Sequence, residues 1–84
     1  MAREKHSYVS HFCEEQYLID DIAFTRIVIK PYQSIEALHE YAAARAAEGK
    51  SFDVVEQRTE WTGANGKRKH TELSRTEYRP APAQ

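Results

Sequence analysis

The sequence has little of what stabilises small secreted proteins or anchors membrane proteins. Cys13 is the only cysteine among 84 residues, so no disulfide can form within the chain. The longest mainly apolar stretch, Ile27-Val28-Ile29, is far shorter than the ~20 residues that cross a bilayer. The first residues, MAREKH, lack the apolar run of a secretory signal. These absences predict a reduced, cytoplasmic protein without membrane contacts.

An excess of charge of one sign is also missing. The chain has 12 Lys and Arg against 13 Asp and Glu, for a net charge of −1, which excludes a histone-like nucleic-acid binder. Glycines are scarce, and none is placed to form a phosphate-binding loop between a strand and a helix. The length has room for one domain. We expect a single domain over 1–79 and an extended Pro/Ala tail over 80–84.

The most distinct pattern is that of a helix over about 34–48. Ser34 is a favourable N-cap, because its hydroxyl can accept a hydrogen bond from an amide in the first turn. Gly49 supplies the residue that commonly ends a helix in a left-handed conformation. Ile35, Leu38, Ala42 and Ala46 share one stripe, which predicts the face that packs on the rest of the domain.

Two strand-like segments follow the helix. The segments 52–61 and 68–78 are compatible with extended strands, and Asn65-Gly66 between them is the favoured dipeptide of a two-residue type I′ turn. In the register that this turn imposes, Trp61 faces His70.

The same register places Glu56 opposite Arg75, and opposite charges in such a pair stabilise an antiparallel ladder. Most residues beyond Glu56 are polar on both faces of the hairpin. Because charged side chains are costly to bury unpaired, we expect the far half of this hairpin to project from the domain.

The N-terminal third is less regular. Phe24 to Lys30 is rich in β-branched residues and predicts a strand. The segment 7–12 alternates weakly as a strand, with a helix through Val9, Phe12, Cys13 and Gln16 as the alternative. We interpret 13–21 as a connecting loop with 17–19 tucked inward. The resulting fold class is α+β, an antiparallel four-stranded sheet in the order β-β-α-β-β along the chain with one helix packed on one face.

Catalytic and metal-binding patterns are weak. His11 and Cys13 do not provide the ligand set of a zinc site, and nothing near Cys13 marks it as an activated nucleophile. We therefore predict no enzyme activity, no metal and no cofactor.

Two charged segments are the candidate binding sites. The acidic patch consists of Glu14, Glu15, Asp20 and Asp21, and the basic hairpin contains Trp61, Lys67, Arg68, Lys69, His70 and Arg75. They predict a small binding protein that contacts a larger protein or complex. By analogy of size class, an inhibitor or regulator of a nucleic-acid-handling complex fits, as in anti-CRISPR-type proteins of mobile elements. The alternative is a nucleic-acid-binding module that uses the 61–79 hairpin. A homodimer is compatible with either function, and the sequence leaves open which patch is used.

Overall fold

The computed structural model describes residues 4–28 and 34–82. Its elements are β1 (Lys5–Ile19), β2 (Ile22–Val28), α1 (Ile35–Ala47), β3 (Ser51–Thr62) and β4 (Lys69–Tyr78). The strands form one antiparallel sheet in the spatial order β2-β1-β3-β4. The predicted α+β class and element order are confirmed.

The helix α1 begins and ends at the predicted signals. The Ser34 side chain accepts a hydrogen bond from the Ala37 amide at 3.1 Å, and Gly49 has a φ of 93°. Leu38 and Ala42 point to the sheet and are buried. The helix packs mainly on β3 and also touches β1 and β4. The core beneath it consists of Cys13, Leu38, Ala42, Phe52 and Val54.

The strand β1 extends through the segment that was predicted to be a loop. Residues 13–19 pair with β2 on one side, and 5–16 pair with β3 on the other. The loop interpretation is therefore wrong, and the helix alternative for 7–12 is excluded. Cys13 and Glu15 face α1, whereas Glu14 and Gln16 lie on the opposite face, because side chains alternate along a strand.

The tight turn of the sheet lies at Asp20 and Asp21, not at a glycine. Both residues have positive φ, 52° and 66°, and Ile19 lies opposite Ile22. Aspartate tolerates this conformation better than most residues, so the pair can form a two-residue hairpin turn. Leu18 and Ile19 were expected to point inward, but they are 66% and 52% exposed, since α1 does not extend over this hairpin.

The β3–β4 connection differs from the predicted type I′ turn. The strands are joined by residues 63–68, and neither Asn65 nor Gly66 has a positive φ. A Cβ atom on Gly66 would lie 2.0 Å from the Thr62 carbonyl oxygen. Gly66 is therefore needed for a close backbone approach and not for a left-handed turn.

The register of β4 on β3 also differs from the prediction. A β-bulge at Leu73 shifts the pairing between Glu56 and Gln57. Consequently, His70 lies opposite Thr59 rather than Trp61, and Arg75 lies opposite Val55 rather than Glu56.

The far half of the sheet is an arm made of three strands. Lys5 pairs with Thr62, so the first half of β1 accompanies the β3–β4 hairpin along its length. The molecule measures 63 × 29 × 18 Å. Arg58, Glu60 and Lys69 are exposed, as expected for a projecting hairpin, although Thr59 between them is buried.

The loop geometry predicts unequal effects of two neighbouring substitutions. Gly66→Ala should lower the free energy of unfolding by ~1–3 kcal/mol, because the new methyl group collides with the Thr62 carbonyl. Asn65→Ala should change it by less than ~0.5 kcal/mol, because Asn65 is exposed and has an ordinary φ. Urea unfolding of both variants measures the difference. Equal effects would contradict this loop.

Candidate functional site

The predicted acidic patch is divided by the fold. Glu14 and Glu15 lie on opposite faces of β1, and Asp20 and Asp21 form the distant β1–β2 turn. The Glu15 carboxylate is nearly buried and accepts a hydrogen bond from Arg26 at 2.5 Å. These residues therefore do not form one continuous surface, and Glu15 is paired within the protein.

Glu14 belongs to a cluster of ion pairs on the face of the sheet away from α1. The guanidinium of Arg75 donates to Asp53 at 2.5 Å, and to Glu14 and Glu72 at 2.6 Å each. Arg79 donates to Asp53 at 2.7 Å. We call these residues the Asp53 cluster. Arg75 was predicted to belong to the basic hairpin site, but its charge is used within this cluster.

The buried member of the Asp53 cluster stays ionised. Burial by itself raises the pKa of Asp53, but hydrogen bonds and charge from Arg79 and Arg75 outweigh it and hold the pKa below its usual value of 3.8. The hydrogen bonds that Arg75 donates to Glu72 and Asp53 raise the pKa of Arg75 above its usual value. Asp53 and Arg75 are thus both charged at neutral pH, and the Asp53 cluster connects β1, β3 and β4.

An aromatic group lies at the far end of the same sheet face. The ring of His6 stacks on Trp61, with centroids 5.2 Å apart and an interplanar angle of 21°. The rings of Tyr8 and Trp61 pack in a T-shaped arrangement, with centroids 5.8 Å apart. The guanidinium carbon of Arg68 lies 4.2 Å from the Trp61 centroid, in cation–π contact. We call these four residues the Trp61 cluster.

Lysines surround an open cleft beside the Trp61 cluster. This tip cleft has a volume of about 400 Å³, and Lys5, Lys67 and Lys69 line it together with the carboxylate of Glu60. The cations outnumber the carboxylate, so the potential in the cleft is positive. The arrangement suits carboxylate groups presented on the surface of a larger molecule.

The structure brings together most of the predicted basic hairpin. Trp61, Lys67, Arg68 and Lys69 all lie at this tip, and His70 is one step along the arm with its Nδ1 atom 2.9 Å from Thr59 Oγ1. Sequence reasoning missed Lys5, His6 and Tyr8, because the pairing of 5–12 with β3 was not foreseen. The strand-like alternation over 7–12 was a signal for Tyr8, but it did not extend to Lys5 or His6.

Other types of site have no support in the described part of the chain. Within residues 4–28 and 34–82, no group of three or more His, Cys, Asp or Glu residues is placed to hold a metal ion. The single helix in those ranges is not long and apolar enough to cross a membrane.

Comparison with known proteins gives no relative. No family model matches the chain, and no match is found among curated proteins or solved structures. The function is therefore inferred from the residues and their geometry.

The Asp53 cluster predicts a loss of stability when its central charge is removed. Asp53→Asn should lower the free energy of unfolding at pH 7 by ~1–3 kcal/mol, because Arg75 and Arg79 lose a charged acceptor. The matched control is Glu77→Gln, since Glu77 is exposed and lies 3.9 Å from Arg79. We expect it to change stability by less than ~0.5 kcal/mol. Thermal and urea unfolding measure both effects.

The same cluster predicts a pH dependence. Because the folded-state pKa of Asp53 is depressed, its stabilisation is fully present above pH 3.8 and is lost as the pH falls below that value through the folded-state pKa. The stability difference between the wild type and Asp53→Asn should therefore shrink in strong acid. A difference that is the same at pH 7 and at ~pH 2 would contradict this assignment.

Proposed function

We propose that this chain is a small, non-enzymatic binding protein that contacts a larger protein through the tip of its three-stranded arm. The observation that carries the proposal is the convergence of the Trp61 cluster and the lysine-lined tip cleft at one end of the sheet. Trp, Tyr and Arg are the residues that most often anchor protein interfaces. Tyr8, 48% exposed, presents apolar surface beside the charges.

The charge of the tip favours an acidic partner surface. Lys67 and Lys69 are exposed and line the cleft. By contrast, Glu14 and Glu15 hold arginines of the same chain, so using them to bind a basic partner would break ion pairs within the fold. The basic tip is therefore the better candidate for the working surface.

The packing of Trp61 favours a protein partner over a nucleic acid. A base that stacks on an indole needs access to a face of the ring. Here the ring is already in contact with His6 and Arg68. Glu4 and Glu60 add negative charge close to the lysines, and the chain as a whole has a net charge of −1. Both features weaken attraction to phosphate groups.

An arm that presents aromatic and positively charged side chains at an open cleft suits a protein that acts by occupying a site on its partner. The narrower role of inhibitor or regulator of a nucleic-acid-handling complex stays a prediction, since it rests on the small size of the chain and on its charge pattern.

A charge reversal at the tip tests the proposal. Tagged wild type, Lys67→Glu and Lys50→Glu are used for affinity capture from a nuclease-treated lysate of the source cells. Lys50 is the matched control, because it is an exposed lysine outside the tip and its reversal changes the net charge equally. We expect wild type and Lys50→Glu to enrich the same protein, and Lys67→Glu to enrich it about tenfold less.

Three results would contradict the proposal. The first is the absence of any enriched protein, and the second is an equal loss for both lysine variants. The third is retention of labelled DNA or RNA by the wild type that falls steeply between ~50 and 200 mM salt and is lost in Lys67→Glu. That third result would favour the nucleic-acid-binding module instead.

A further inference from the structure

The two edges of the sheet are built differently. The edge strand β4 carries charged side chains along its length and a bulge at Leu73, which are the features that prevent an edge from pairing with another chain. The other edge strand, β2, has the sequence IAFTRIV, with Arg26 as its single charge. Among the described residues, no strand pairs with the outer side of β2. The outer edge of β2 therefore lacks the row of charges and the bulge that keep β4 from pairing with another chain, and we call it the bare edge.

Exposed apolar side chains surround the bare edge. They lie on the β1–β2 hairpin, and their exposed fractions are 66% for Leu18, 52% for Ile19, 60% for Ile22, 42% for Phe24 and 58% for Ile27. Ile22, Phe24 and Ile27 lie on β2 and border the edge directly, whereas Leu18 and Ile19 lie one strand further in, on β1. An interface built on one pair of edge strands is at the small end of specific interfaces, below ~1,200 Å². The available area is thus that of a small dimer interface.

The backbone of β2 determines how an added strand would pair. Ile19 and Ile22 close a two-residue turn, so they form a hydrogen-bonded pair. Hydrogen-bonded and non-bonded pairs alternate along an antiparallel ladder. The N–H and C=O groups of Ala23, Thr25 and Ile27 therefore point away from β1, toward the open edge.

We propose that β2 pairs with β2 of a second copy of this chain, antiparallel and with the two-fold axis at Thr25. In this register Thr25 lies opposite Thr25 of the second copy, and Ala23 lies opposite Ile27. Every outward N–H and C=O group then bonds to a group that also points outward. The same surface serves both copies, as a two-fold symmetric interface requires.

The side chains agree with this register. Ile22 lies opposite Val28 of the second copy, and Phe24 lies opposite Arg26, where a guanidinium can rest against an aromatic ring. Moving the axis to Arg26 would place two arginines directly opposite each other, which destabilises a ladder. Moving it to Phe24 would place Ile27 opposite Asp21, a turn residue outside the strand. The register centred at Thr25 avoids both costs.

The dimer joins two sheets into one of eight strands and does not depend on the proposed function of the tip. Each arm extends beyond the end of β2, because β2 pairs with residues 13–19 of β1, whereas the tip cleft lies at Lys5 and His6. Dimerisation therefore leaves both tips free, and the two proposals are tested separately.

Sedimentation equilibrium between ~1 and 500 µM tests the association. The wild type should pass from the monomer mass of 9.7 kDa to twice that mass as concentration rises. Ile27→Lys places a charge on the bare edge and should weaken association at least tenfold. Leu73→Lys is the matched control, because it places the same charge on the opposite edge, and it should associate as the wild type does.

Cross-linking tests the register even if Ile27→Lys fails to fold. At a two-fold axis through Thr25, the paired Cα atoms lie ~5.5 Å apart, within the range that a disulfide spans. Mild oxidation should convert Thr25→Cys into a covalent dimer. Ala23→Cys is on the same edge and the same face, but it lies opposite Ile27 and should cross-link at least tenfold less. Cys13 is buried, so the wild type should not cross-link.

The proposal is overturned if the wild type is a monomer over the whole concentration range. It is also overturned if Leu73→Lys, and not Ile27→Lys, abolishes association, or if Ala23→Cys cross-links as well as Thr25→Cys. Lys67→Glu should retain the dimer, which separates this outcome from failure of the tip proposal.

Discussion

The structure depends on the ionised carboxylate of Asp53, which is 3% exposed on the face that α1 does not cover. A carboxylate in such a position destabilises a fold unless it is fully paired. Arg75 and Arg79 provide that pairing, and Arg75 extends it to Glu14 on β1 and Glu72 on β4. One guanidinium thus links the central strands where no helix packs on them. The apolar core under α1 and the Asp53 cluster stabilise the two faces of the same sheet by different means.

This division explains why the candidate binding groups lie at the tip. In the half of the sheet away from the tip, the Asp53 cluster and the Arg26–Glu15 pair neutralise much of the charge through ion pairs within the chain. Among the residues that line the tip cleft, Glu60 is the one carboxylate that opposes the three lysines. Positive charge is therefore in excess at one end of the molecule, where Lys5, Lys67 and Lys69 outnumber Glu60 and the neighbouring Glu4. Charge that stabilises the fold and charge that is available for binding are separated along its 63 Å length.

Local signals in the sequence predicted the local structure, whereas the pairing of strands that lie far apart in the sequence could not be predicted. Ser34 and Gly49 define the helix because capping depends on residues within one turn. The hairpin turns were misassigned because Asn65-Gly66 is a stronger turn signal than Asp20-Asp21, and the contact of Gly66 with Thr62 is visible only in three dimensions. The tip was predicted in part. Trp61 and the lysines are close in sequence, but His6 joins them only through the pairing of β1 with β3, which no turn signal encodes.

The small core and the bare edge of β2 are connected features. A chain of this size buries only ~60% of the surface that its unfolded form exposes, so its core contributes little stability. The β1–β2 hairpin lies outside the reach of α1 and keeps Leu18 and Ile22 exposed. The proposed pairing between two copies covers Ile22, on β2, and stabilises the folded state by mass action. It also joins two binding tips in one particle, so that a weak contact at each tip is strengthened when a partner presents two acidic sites at a matching spacing. The two proposals are in this sense complementary, with the bare edge proposed to assemble the particle and the charged tip proposed to bind its partner.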